Sequence, residues 1–171
     1  EDETRLKAFT AQVSIGLENA KLFDDVQNIK NYNESMLESM SNGVVTLDED
    51  AKIVTCNAAG SEILKIAQSE IIGQSAEEYF GETNDWILEK VTRVAESGET
   101  DSTLDAELMV GDEKLSVNVS VMPLVSSEDK NLGTMIMIED ISSEKRMKST
   151  MSRYMDPGIA DQLMEGSEDI L

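Results

Sequence analysis

The chain has 171 residues, enough for one ordinary domain with extensions or for two small ones at most. Its 35 acids against 14 bases give a formal charge of −21, spread along the chain, which argues against partners with phosphate backbones or anionic lipid surfaces. Histidine is absent, which removes the commonest metal ligand and the usual general base near neutral pH.

From Thr4 to Met40 there is no proline and only one glycine, Gly16. Apolar residues fall at Leu6, Phe9, Val13, Leu17 and Ala20, then at Phe23, Val26, Ile29, Met36 and Met40. Spacings of three and four predict one long helix, or two joined end to end, with a heptad-like seam. The seam weakens at Gln27, Lys30 and Asn33, and a register shift near Phe23–Val26 accounts for that. A helix of this length extends roughly 50 Å. It must bury its seam against something, either a second copy of itself or its own domain folded back.

Ser41-Asn42-Gly43 is a turn signal, followed by a short strand over Val44–Leu47. Asp48-Glu49-Asp50 reads as a solvated turn rather than a metal cluster, and Ile53–Cys56 is the returning strand of a hairpin. Asn57 is placed to cap a helix from Ala58 to about Ala67. Short helical turns are expected at Ile71–Gly73 and Ala76–Phe80, and a longer helix over Trp86–Ser97 that Gly98 stops. Three strands follow. In the first, Leu104, Ala106, Leu108 and Val110 alternate with polar residues. In the second, Leu115, Val117, Val119 and Val121 do so, and the third covers Thr134–Ile138. The order predicts an α+β fold, a five-stranded antiparallel sheet with helices across one face. The boundaries fall at 1–40 for the leading helix, 41–142 for the sheet domain and 143–171 for the trailing helices. Ser142 is placed to cap a trailing helix whose apolar positions are Met147, Met151 and Tyr154 or Met155. Asp156-Pro157 then suits the start of another.

The middle region resembles a PAS domain over about 100 residues, from Glu38 to Ser143. Val44-Val45-Thr46-Leu47-Asp48 followed by Ile53-Val54-Thr55-Cys56-Asn57-Ala58-Ala59 looks like the opening hairpin with its Asn-x-Ala helix start. Ile72-Gly73 matches the Ile/Leu-Gly before the central helices. Gly133 through Glu139-Asp140-Ile141-Ser142 looks like the closing strand with its Asp-Ile-Ser/Thr exit. The segment Phe9 to Phe23 is similar to the terminal helix of a GAF domain, and Ser152 to Met164 resembles the lead-in to a bacterial class III adenylate cyclase domain. Together these imply a piece of a GAF–PAS–cyclase receptor of the type common in cyanobacteria. The cyclase family's metal-binding and purine-recognising residues would lie beyond Leu171, so no catalytic residue is expected within this stretch.

The family resemblance also bears on cofactors, and none is expected. Haem in such domains takes an axial histidine, and photoactive flavin takes a cysteine in the central helical region, whereas Cys56 ends a strand. Aromatic residues are 4% of the chain, leaving little for an isoalloxazine ring to stack on. Cys56 reads as a small, half-buried strand residue. Met109, Met122, Met135 and Met137 lie on the later strands, where flexible thioethers fill an irregular core or line a ligand pocket. A lone cysteine, the acidic N-terminus and the lack of an apolar run near 20 residues point to the cytoplasm.

The expected role is therefore regulation and dimerisation: a parallel homodimer through the helices, relaying a signal from an adjoining GAF domain to an adjoining cyclase domain. Leu6, Phe9, Val13, Phe23, Val26, Met36, Met147, Met151 and Tyr154 are the candidate dimer and relay residues. Asp140 is the candidate hinge, at the strand-to-helix exit. Two other readings stay open: a small-ligand sensor, and the PAS module of a sensor histidine kinase.

Overall fold

With no proline before position 123, nothing interrupts the leading helical stretch. It forms a single helix, α1, over Asp2–Ser39, and Met40 leaves it in an extended conformation. No break occurs near Phe23–Val26. The computed structural model describes residues 1–154, in two compact units: Glu1–Met40, and the chain from Ser41 onward. The Asp156-Pro157 restart lies outside the described residues.

The second unit opens with the hairpin of β1 (Gly43–Leu47) and β2 (Ile53–Cys56). Asp48 makes its turn: the carboxylate accepts the Asp50 and Lys52 N–H groups, both at 2.9 Å. That is a local Asx-type turn, and Ala51 completes it at positive φ. The helices α2 (Ala58–Leu64), α3 (Gln68–Ile71), α4 (Ala76–Phe80) and α5 (Asp85–Ser97) follow. Asn57 caps α2 by accepting the Gly60 N–H at 2.8 Å. That helix ends at Leu64, earlier than the apolar pattern predicts, because Lys65 turns left-handed. Ser75 and Glu78 form a capping box on α4, and Gly98, at φ 70°, stops α5. Then come β3 (Asp101–Val110), β4 (Glu113–Val125), β5 (Asn131–Asp140) and a last helix, α6 (Ser142–Tyr154).

The five strands form one antiparallel sheet in the order β2-β1-β5-β4-β3. This is the predicted α+β architecture. One face carries the core: Val45, Leu47, Ile53, Leu108, Val117, Val119, Val121, Ile136 and Ile138 meet Leu64, Ile71, Phe80, Ile87 and Val94 of the helices. Each such side chain contributes about 1.5–3 kcal/mol by leaving water. Gly133 sits at φ 135°, and a Cβ there would run into the Leu47 carbonyl, so only glycine lets β5 pass β1 so closely.

Three sequence expectations need correction. Cys56 is fully buried, in the core cluster, rather than half-buried. The strand methionines Met109, Met122, Met135 and Met137 neither fill the core nor line a pocket in it. They alternate with the core residues, so they lie on the opposite face of the sheet, half-buried, with Met122 directly paired to Met135. Leu104 does not join Ala106, Leu108 and Val110 inside; it is 77% exposed. The cause is a bulge. Thr103 pairs with Val119 and Ala106 with Val117, so Leu104 and Asp105 together oppose the single residue Asn118. Asp105 adopts positive φ there, 54°.

Candidate functional site

The sequence places the working surfaces on two helices. On α1, Leu6, Phe9, Val13, Phe23, Val26 and Met36 are all exposed, and no residue of the helix is buried. Leu6, Phe9, Val13 and Phe23 share one stripe. At roughly 100° per residue, Val26 lies about 60° beyond Phe23, at the edge of that stripe, and Met36 about 140° beyond it. Sequence reasoning passed over Ile15 and Leu22. With Ile29 and Met36 they recur every seven residues, so this second stripe runs from Ile15 to Met36. The helix therefore offers two partly overlapping apolar stripes on different faces.

On α6, Met147 and Met151 are exposed and lie one turn apart on one face. Tyr154 is the last helical residue described. The helix is basic in an acidic chain: Lys145, Arg146, Lys148 and Arg153 against one acid, Glu144. Every residue from Ser143 to Arg153 is exposed.

The joint between β5 and α6 is built from backbone and short side chains. The Ile141 N–H donates to the Ser116 carbonyl at 2.9 Å, and the Ser116 N–H donates to Ser142 Oγ at 3.1 Å. Asp140 Oδ1 accepts the Ser142 N–H at 2.9 Å. The exit carboxylate thus performs the capping that the sequence assigns to Ser142, while the Ser142 hydroxyl reaches across to β4. A groove of about 510 Å³ runs beside this joint, lined by Glu113, Lys114, Leu115, Ser116, Ser142, Lys145 and Arg146.

Two polar clusters escaped sequence reasoning, because their members are far apart in the chain. In the first, Asp101 at the start of β3 bridges two α5 cations. Lys90 Nζ meets Oδ1 and Arg93 meets Oδ2, each at 2.8 Å. The Lys90 hydrogen bond foremost, with the charges of both cations, holds the Asp101 carboxyl below the usual range. In the second, the Asp105 N–H donates to Asn118 Oδ1 at 2.9 Å, Asn118 Nδ2 donates to Glu139 at 3.0 Å, and Lys145 Nζ meets Asp105 Oδ1 at 2.5 Å. Only the bulge could have hinted at it, and the regular alternation of Leu104, Ala106, Leu108 and Val110 hides the bulge.

Inside the domain, Tyr79 packs edge-on against Phe80 with ring centroids 4.9 Å apart. Burial, then the nearby Cys56, raises its phenol above the ordinary value. Among the described residues, no group of three or more Cys, Asp or Glu side chains is placed to hold a metal ion. No described helix is long and apolar enough to cross a membrane.

This arrangement has known counterparts. The family model of the PAS fold matches residues 31–141, and the chain belongs to that family. A PAS domain is a regulatory or sensory fold and not in itself a catalytic one. Among curated proteins, the chain is 20% identical over 155 residues to the signal transduction histidine-protein kinase AtoS of Escherichia coli. That match covers 91% of this chain but only 25% of AtoS, so the chain spans about a quarter of that relative's length. Similar folds occur in the PAS domain of nitrogen regulation protein NR(II) from Vibrio parahaemolyticus (19% identity, TM-score 0.52, covering 64% of this chain and 97% of that one). A PAS domain from Colwellia psychrerythraea is also similar (15%, TM-score 0.56, 67% and 98%). So is VqmA from Vibrio cholerae (18%, TM-score 0.57, 66% and 52%).

Proposed function

We propose that this chain is a non-catalytic regulatory and dimerisation module of a larger cytoplasmic signalling protein. It relays a signal from an upstream sensor, a GAF domain, to a C-terminal output domain. The observation that carries the reading is α1: 38 residues of helix whose large apolar side chains are uncovered. A parallel pairing of two copies removes those side chains from water and holds two output domains together. Met147, Met151 and Tyr154 extend the pairing on the exit side, and Asp140 is the hinge between sheet and exit helix.

The output domain is proposed to be a class III adenylate cyclase, making cAMP and diphosphate from ATP, on the strength of the Ser152–Met164 resemblance. Class III sites form between two chains, so a small rotation of paired helices would act on catalysis directly. The match to AtoS favours a second output, a histidine kinase. The relay itself is common to both.

Its test is geometric and uses the full-length protein. Inserting two residues between Lys148 and Arg153 turns the following seam by about 200°. Inserting seven restores the phase to within roughly 20°. The first insertion is expected to alter basal output or abolish regulation, and the second to preserve both. Equal behaviour of the two variants would make the exit helix a passive tether and end the relay reading. Production of cAMP, or phosphorylation of a histidine, identifies the output.

A further inference from the structure

The direction of α6 is not set by packing. Every side chain from Ser143 to Arg153 is exposed, so among these described residues no apolar side chain is buried against the sheet. Its first turn is tied at one place, Ser116, through the Ile141 N–H and the Ser142 hydroxyl. One point of attachment makes a pivot and leaves the angle free. A second point is needed to choose the angle, and Lys145, about one turn further on, supplies it by reaching Asp105 on the far edge strand.

We propose that the Lys145–Asp105 ion pair is a weak latch that selects one orientation of α6 on the sheet, and that the β3 bulge is what presents its carboxylate. Asp105 is a prepared anchor. Its positive φ and its place as the extra residue turn it out of the ladder. Its N–H is satisfied by Asn118 Oδ1, and Asn118 in turn holds Glu139 on β5. The anchor is thus connected across three strands to the strand that leads into α6. A movement of β5 against β4 disturbs the pivot and the anchor together.

The latch is weak by construction. Both side chains are about half exposed, and ion pairs of that kind shift an equilibrium by about fivefold at most. Lys114, Glu113 and Arg146 line the same groove and contribute to the local field. A bias of that size lets one orientation dominate without locking it, as a two-state element requires. The geometric claim stands on the contacts alone; only its consequence for signalling rests on the relay reading.

The test uses the whole chain with Cys56→Ala, spin labels at Asp112→Cys and Ser152→Cys, and an excess of unlabelled protein so that only distances within one chain are read. Asp105→Asn removes the charge while keeping a residue type that tolerates positive φ. Lys145→Gln removes the other half. The unmodified pair should give one dominant distance. Each variant should broaden and shift it, the double variant should add nothing further, and about 1 M salt, where screening acts within roughly 3 Å, should mimic them. Glu107→Gln, which removes the neighbouring exposed Lys114–Glu107 pair, should leave the distance unchanged. Distributions unaffected by Asp105→Asn and Lys145→Gln overturn the latch, as does an equal effect of Glu107→Gln. Assay of the two latch variants in the full-length protein separates the readings. Moved helix with unchanged output keeps the latch and removes the relay, whereas changed output with an unmoved helix does the reverse.

Discussion

The side chain of Asn57 holds the backbone of Val44: its Oδ1 accepts the buried Val44 N–H at 2.8 Å. The same oxygen takes the Gly60 N–H, and Nδ2 donates to the Asn42 carbonyl at 3.0 Å. One amide thus ties the first strand, the turn before it and the first helix of the domain. The strand and helix approach so closely that a Cβ on Gly43 would meet the Gly60 backbone at 3.0 Å.

Replacing Asn57 with alanine is expected to leave the buried Val44 N–H without its acceptor and α2 without its cap. A loss of about 2–4 kcal/mol in urea unfolding is expected, the sum of one orphaned buried donor and one lost cap. Asn57→Asp keeps an acceptor for both N–H groups but turns an oxygen toward the Asn42 carbonyl at a buried position, so it should destabilise the fold too, and by less than the alanine variant. Equal losses for the two variants would show that the acceptor role is not the important one.

The legibility of this chain was uneven, and the reasons are physical. Strands such as Leu115–Val121 declare themselves because alternation follows directly from a sheet with one buried face. The leading helix was equally plain, since spacing of apolar residues is a local property. Asp105 was invisible for the opposite reason. Its bulge preserves an apparently perfect alternation in the letters while changing which residue faces inward, so Thr103 takes the inner position and Leu104 the outer. The strand methionines failed similarly: composition says what they are, and only strand phase says which face they occupy. Long-range pairs such as Lys145 with Asp105 or Lys90 with Asp101 leave no trace in spacing. Of the candidate site residues, those on α1 together with Met147 and Met151 on α6 follow from the apolar pattern, and their exposure is what the structure adds.

Pairing of α1 predicts a dimer at micromolar concentration in sedimentation at about 0.15 M salt. Because the chain carries −21, raising the salt should tighten association rather than weaken it. Phe9→Ser with Val13→Ser should loosen the dimer by at least about a hundredfold, since each buried apolar side chain contributes about 1.5–3 kcal/mol. A monomer under these conditions would remove the dimerisation reading. Loosening by Ile15→Ser with Leu22→Ser, but not by the first pair, would move the seam to the second stripe.

Acid should reach Asp101 later than it reaches an ordinary carboxylate. Its carboxyl is held below the ordinary range by Lys90 and Arg93. A group with a depressed folded value stabilises the fold fully above its unfolded value, near pH 4. That contribution fades as pH falls through the depressed folded value. Asp101→Asn should therefore lower the melting temperature at neutral pH and bring it toward the parent's in strong acid. Parallel melting curves across that range would show that the cluster carries no such linkage.

The bulge at Leu104 and Asp105 also makes one place in the sheet where chain length is negotiable. Within the regular stretches of β3, β4 and β5, losing one residue would turn a core side chain to the solvent and a polar one inward. Here two residues face one, and Thr103 and Ala106 already stand opposite Val119 and Val117 on the same face. A chain lacking Asp105 puts Leu104 alone opposite Asn118, closes the ladder into a regular hairpin and keeps every core side chain inside. It would fold like its parent, and it would have nothing left for Lys145 to hold.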